Sequence, residues 1–214
     1  MLWHSYTMQA LAGRKDDSLV FWHPLTSDLE TLPTGQTPIW HGTPDFGVVD
    51  GRACCTMPAN CWVRAAVAGF EQDAFVPFTA ACWVRAGSGR RVYICLGNYQ
   101  TKAGTFSYYR NNSRQWLLTS GCNFGNEMDR PGEWLHGVAT YASEGTARLY
   151  INGKLFRERQ RKLFGTSFTD AMMGQNIAEN YTGASEFSFS DARIYNRVLN
   201  ASEIARIYEE TLSA

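Results

Sequence analysis

Cleaving a glycosidic bond takes two carboxyl groups on one face, about 5 Å apart in the retaining geometry, one protonated and one ionised. On a strand, E-x-D-x-x-E or E-x-x-x-E spacing would bring them together, and no E-x-D-x-x-E occurs in this chain. Glu186 and Asp191 flank Phe187 to Ser190, but their offset of five puts them on opposite faces of a regular strand. The four histidines, His4, His23, His41 and His136, are scattered. His136 alternates with Trp134 and Val138, the setting of a core or semi-core histidine rather than a general base. No G-x-S-x-G elbow supports a nucleophilic serine. The expectation is a chain that is not an enzyme.

Binding chemistry is better represented. Aromatic residues make up 14% of the 214 positions, which suits both pleated strands and flat platforms for the apolar face of a sugar. Trp40, Tyr99, Tyr108, Tyr109, Trp116 and Tyr181 are the aromatic candidates, and Tyr108-Tyr109-Arg110-Asn111-Asn112 has the pattern of an exposed, ligand-facing hairpin. The candidate ligand-binding set is therefore Tyr99, Tyr108, Tyr109, Asn111, Trp116 and Tyr181. The competing reading is that these rings fill a core, as most Trp and Tyr of a sandwich do. Six cysteines are present. Cys82 and Cys95 sit inside apolar strand patterns and no C-x-x-C pair occurs, so free thiols are expected and a zinc site is not. If a disulfide forms, it joins Cys54 or Cys55 to Cys61.

The elements that would hold these residues are strands. From Trp134 to Tyr141 the residues alternate, with Trp134, His136, Val138 and Thr140 on one face and Leu135, Gly137, Ala139 and Tyr141 on the other. Ser143-Glu144-Gly145 turns the chain, Ala147 to Ile151 resumes the alternation, and Asn152-Gly153 is a strong hairpin signal because both residues accept positive φ. Leu155 and Phe156 begin the return strand, and the charged run Arg157 to Lys162 reads as a solvated edge or loop. Further strands are expected at 19–25, 53–57, 62–68, 75–85, 91–96, 105–109, 115–119 and 187–194. Loops are expected at 26–37, 121–132 and 165–183, and an irregular stretch at 40–50. Strands separated by turn signals at this spacing argue for a sandwich or barrel. One helix closes the chain, with Asn200 as N-cap, Glu203 as its capping-box partner, and Ile204, Ile207, Tyr208, Thr211 and Leu212 on its apolar face. Residues 1–17 read as a short N-terminal arm and 18–214 as one domain.

Lys plus Arg equals Asp plus Glu, at 20 each. No basic excess points to nucleic acid and no apolar run is long enough to insert in a membrane. A formal net charge of zero favours a protein that lives in an assembly, so a homo-oligomer is expected. The N-terminus lacks the pattern of an export signal, which points to synthesis in the cytoplasm. The sequons at Asn111, Asn180 and Asn200 carry no meaning without secretion.

W-L-H-G-V-A-T-Y, a short turn and A-R-L-Y-I-N-G-K-L together resemble the core signature of the laminin-G-like, concanavalin A-like lectin/glucanase superfamily. Ser18 to Leu25 resembles its first strand, Phe78 to Arg85 its FT-x-x-x-W-V strand, and Phe187 to Leu199 its closing strand. The resemblance spans roughly residues 18 to 210. It implies an all-β, two-sheet antiparallel jelly-roll sandwich with a short C-terminal helix, and a lectin-like binding role. Related sandwiches hold calcium after the first strand and beside the closing strand, so calcium is a candidate cofactor at Asp28 and Asp191. The alternative for Asp191 is a structural bond to an arginine. Such folds are usually met outside cells, and a chain without an export signal reaches the exterior on a virus particle. The expected function is a virion surface protein (phage head decoration, head fibre or tail-associated subunit) that serves assembly, glycan binding or cell-surface binding. The alternative is a free-standing or secreted carbohydrate-binding or adhesion module.

Overall fold

A computed structural model describes residues 16–70, 77–87, 89–98, 103–111, 115–118, 122–127, 130–160, 168–175 and 186–212; for 103–109 and 118 the backbone alone is described. The strands are β1 (Leu19–His23), β2 (Ile39–His41), β3 (Asp45–Val49), β4 (Arg52–Met57), β5 (Trp62–Ala66), β6 (Phe78–Ala86), β7 (Arg91–Asn98), β8 (Ala103–Arg110), β9 (Trp116–Leu118), β10 (Cys122–Gly125), β11 (Trp134–Tyr141), β12 (Thr146–Ile151), β13 (Lys154–Gln160), β14 (Asp170–Met173) and β15 (Phe187–Tyr195), followed by helix α1 (Ala201–Thr211). They form two antiparallel sheets. The first runs β13-β12-β11-β6-β15-β4-β3 with β1 added beside β15, and the second runs β10-β9-β8-β7-β14-β5-β2. The all-β sandwich with one short C-terminal helix is therefore as expected from the sequence.

The β11–β12–β13 meander matches its sequence pattern closely. Asn152 (φ 50°) and Gly153 (φ 76°) both turn through the left-handed region, as a two-residue hairpin requires. Asn152 also ties the turn to β11, its side-chain oxygen accepting from the His136 amide at 2.9 Å and its own amide donating to the His136 carbonyl at 2.9 Å. Gly153 has a second reason to be glycine, since a Cβ there would stand 3.1 Å from the Tyr208 ring of α1.

Between the sheets, Phe78, Cys82, Val84, Leu135, Ala139, Tyr141, Phe187, Phe189 and Ile194 of the first sheet meet Val63, Ala65, Tyr93, Ile94, Leu96, Ala171 and Met173 of the second. The opposite face of the first sheet is covered by α1, where Ala81, Val138, Tyr150 and Tyr195 pack on Leu199, Ile204 and Ile207. The helix starts where its cap says it should. Asn200 Oδ1 accepts from the Ser202 and Glu203 amides, both at 3.0 Å, and Glu203 Oε2 accepts from the Asn200 amide at 2.8 Å.

Four expectations are corrected. Residues 39–49 are not irregular but hold the short edge strands β2 and β3, which gain order by pairing with β5 and β4. β14 lies in the stretch read as a loop at 165–183, wedged between β5 and β7. β10 lies in the loop expected at 121–132. The fourth concerns β15, where the sequence alternation sets Phe187, Phe189, Asp191 and Arg193 on one face against Ser188, Ser190, Ala192 and Ile194, but Asp191 sits at φ 49° and the register against β6 shifts between Ser190 and Arg193. This bulge changes the parity of the strand, so Phe187 and Phe189 share the core with Ala192 and Ile194 rather than with Arg193.

A polar and aromatic layer lies under α1. The Arg52 guanidinium stacks 3.7 Å over the Trp83 ring and donates to the Leu212 carbonyl at 3.0 Å. Trp83 Nε1 donates to Thr211 Oγ1 at 2.8 Å. His136 lies 5.1 Å from Trp83 and 6.0 Å from Tyr208, fully buried, and neither ring nitrogen has a hydrogen-bond partner among the described residues. It is a core histidine as expected, but an unsatisfied one. Burial drives its imidazole down to about 3, so it is neutral in the folded protein.

Candidate ligand-binding face

The outer face of the second sheet carries the residues best suited to hold a ligand. Alternation along β5 turns Val63 and Ala65 into the core and leaves Trp62 and Arg64 on the other side, both partly exposed. On the neighbouring β2, Trp40 points inward and His41, opposite Trp62 in register, points out. The His41 imidazole lies nearly parallel to the Trp62 indole, with centroids 4.9 Å apart and planes at 12°. Beneath this pair Trp62 rests on buried Val92, Cys95 and Met172, which fix its orientation.

One register step along, Arg64 reaches Asp170 on β14 at 3.2 Å, and Asp170 Oδ2 accepts from Thr169 Oγ1 at 2.7 Å. The arrangement is an aromatic platform beside a planar, oriented pair of charges. A sugar ring can lay its C–H face on such a platform while a hydroxyl accepts from the partly exposed Arg64 guanidinium, which buried Asp170 orients.

The sequence-derived candidates fare differently. Tyr99 and Tyr181 lie outside the described residues. Tyr108 and Tyr109 are in β8, in register with Ile94 and Val92, and their side chains are also outside the described set. Asn111 closes the β8–β9 turn, its Oδ1 accepting from the Gln115 amide at 3.0 Å. Trp116 is a correction: it is fully buried in the core, 5.2 Å from Tyr93, so no sugar reaches its ring. Trp40 is partly buried and packs edge-on against His23 and Phe46.

The calcium candidates are not brought together as a cage. Asp191 is buried, and its Oδ1 accepts from Trp22 Nε1 at 2.7 Å and from Arg193 Nε at 3.0 Å. Asp28 is exposed on the loop after β1. Among the described residues no group of three or more His, Cys, Asp or Glu could hold a metal ion. A cation beside Asp191 would also meet the Arg193 charge. The arginine-bonded alternative is the one this structure adopts. All six cysteines are free and buried.

The sequence reading missed Trp62, His41, Arg64 and Asp170. The signal for the first and third was the alternation in Trp62-Val63-Arg64-Ala65. Nothing in sequence separates an outward Trp62 from an inward Trp116.

A family model described as the concanavalin A-like lectin/glucanases superfamily matches residues 60–205. The chain belongs to this superfamily. The matched span contains Trp62, Arg64 and Asp170, while His41 precedes it. No curated protein matches the chain.

Among solved structures, similarity extends to the receptor-binding domain of the botulinum neurotoxin C/D mosaic serotype, with a TM-score of 0.67 and 14% identity over 90% of this chain and 51% of that one. A structure of botulinum neurotoxin type C, whose cell entry is described as dependent on two ganglioside molecules, gives a TM-score of 0.69 at 13% identity over 91% and 51%. The binding domain of botulinum neurotoxin DC in complex with rat synaptotagmin II also gives 0.69 at 13%, over 91% and 52%. The chain thus spans about half the length of these structures. At such identities the likeness is one of fold alone.

Proposed function

We propose that this chain is a non-catalytic lectin-like module that holds a glycan or another cell-surface ligand on the outer face of its seven-stranded sheet. The observation that carries the reading is the stacked Trp62–His41 pair beside the oriented Arg64–Asp170 pair. The neighbouring toxin structures, one described as a receptor-binding domain and one as dependent on two ganglioside molecules for cell entry, support it by analogy of fold. The test is retention on a glycan array for the wild-type chain and for Trp62→Ala and Arg64→Ala. Loss of retention with an unchanged circular dichroism spectrum is expected. Undiminished retention in both variants would move the ligand elsewhere.

For its setting we infer a virion surface, as a head decoration, head fibre or tail-associated subunit. Six free, buried thiols support folding in a reducing compartment before release. An antibody to the chain should label intact particles. Labelling confined to particle-free medium would favour a free-standing or secreted adhesion module instead.

A further inference from the structure

Directly opposed residues of an antiparallel pair place their side chains next to each other on one face. On the outer face of the first sheet, the opposed pair Trp83 and His136 meets the last turn of α1 through Thr211 and Tyr208. One same-face step further along the two strands, β6 and β11 oppose Arg85 and Trp134. Both of these are partly exposed.

Trp134 is fixed by its neighbours. Its Nε1 donates to the Val49 carbonyl at 2.9 Å, and the buried Arg52 guanidinium that stacks on Trp83 lies 5.6 Å from its ring. The indole N–H is thus used within the protein, and the ring offers apolar surface to the outside. Asp50 follows Val49 at the tip of the β3–β4 hairpin. Asp50 (φ 49°) and Gly51 (φ 81°) both take the left-handed backbone of a two-residue turn, between Val49 and Arg52 paired in register. Arg85 Nε donates to Asp50 Oδ2 at 2.7 Å. A tryptophan, an arginine and an aspartate from three different strand ends therefore adjoin one another.

This is the composition of the Trp62 platform with one difference. Beside Trp62 the Asp170 side chain is only 11% exposed, so the guanidinium alone faces a ligand. Beside Trp134 the Asp50 side chain is 58% exposed and that of Arg85 33%. The pair meets through Nε and Oδ2, which leaves the terminal guanidinium nitrogens and the second carboxylate oxygen outside the bond. A charged acceptor and a charged donor, held side by side next to an apolar ring, match two adjacent hydroxyls of a pyranose. One hydroxyl donates to Asp50, its neighbour accepts from Arg85, and the C–H face of the sugar lies on Trp134. A sugar bearing a carboxylate or sulfate would meet the Asp50 charge.

We propose that Trp134, Arg85 and Asp50 form a second ligand site, one that takes a neutral sugar ring with two free vicinal hydroxyls. It shares no residue with the Trp62 platform and lies on the outer face of the other sheet. One chain then presents sites on opposite sides of the sandwich and can join two glycan-bearing surfaces.

The test is an array carrying neutral glycans, the same glycans O-methylated, and sialylated or sulfated glycans. The full chain is applied as wild type, as Trp62→Ala, and as Trp62→Ala combined with Asp50→Asn or with Trp134→Ala, with circular dichroism as the folding control. Asn before Gly51 suits the same turn, so Asp50→Asn removes the charge and keeps the hairpin. Trp62→Ala is expected to retain neutral glycans and to release their O-methylated forms. Adding Asp50→Asn should lower that retention at least tenfold, and adding Trp134→Ala should abolish it. If the wild-type chain retains glycans and Trp62→Ala retains none, the second site is overturned and the Trp62 platform stands. If Trp62→Ala matches the wild type and the Trp134→Ala combination retains nothing, the second site stands and the Trp62 platform falls. Retention by Trp62→Ala that ignores Asp50→Asn, extends to O-methylated glycans or favours acidic ones overturns the proposal, as does a wild-type chain that retains nothing.

Discussion

The histidine under α1 makes the stability of this domain depend on pH in a way that can be worked out. His136 is fully buried between Trp83 and Tyr208, and burial lowers its imidazole from 6.5 to about 3. In the unfolded chain it regains the ordinary value. Between those limits the unfolded state binds the extra proton, so stability is complete above pH 6.5 and is lost as pH falls towards 3. At pH 5 the unfolded chain is 1.5 units below its value, which is about 2 kcal/mol lost through His136 alone. His23, buried and lowered to about 4, adds a loss of about 2 kcal/mol at the same pH. The perturbation is His136→Phe, which keeps a ring between Trp83 and Tyr208 and removes the titration. Urea unfolding of both proteins at pH 7.5 and pH 5.0 gives the four free energies. The loss on acidification should be smaller in the variant by about 2 kcal/mol. Carboxylates that titrate nearby contribute equally to both proteins and cancel. An equal loss in the two proteins would refute a neutral, buried His136.

Three further outcomes are expected. Trp116→Ala should destabilise by about 3–5 kcal/mol in chemical denaturation, because the ring fills the core against Tyr93, and should leave the ligand specificity of the folded fraction unchanged. Asp191→Ala should cost about 3–5 kcal/mol by stranding the buried Arg193 guanidinium, and millimolar calcium should leave the melting temperature of the wild-type protein unmoved. Asn200→Ala removes the acceptor of two amides at the start of α1 and should lower stability by about 1 kcal/mol, read from the urea midpoint.

What was legible in the sequence was local. The β11–β12–β13 meander follows from two-residue alternation and from Asn152-Gly153, a pair that accepts the backbone of a tight turn. The start of α1 follows from Asn200 and Glu203, whose side chains satisfy amides within the same few residues. Many strands with regular turns argued for a sandwich or barrel, and the resemblance to the superfamily chose the sandwich. Tertiary structure decided the rest, because the deciding partner is distant in the chain. β2, β3 and β14 are three to five residues long, and each exists because a neighbouring strand supplies its hydrogen bonds. The bulge at Asp191 reverses the parity of β15, and its positive φ is held by Trp22 and Arg193, one of them 169 residues away. Alternation put His136 on a face, but only the return of α1 turned that face into an interior. Trp62 and Trp116 look alike as aromatic residues in short strands, and only the stacking of the two sheets sends Trp116 into the core and leaves Trp62 partly exposed on the outer face. Local chemistry thus determined the elements, while burial is a property of the assembled layers and was decided only when they packed.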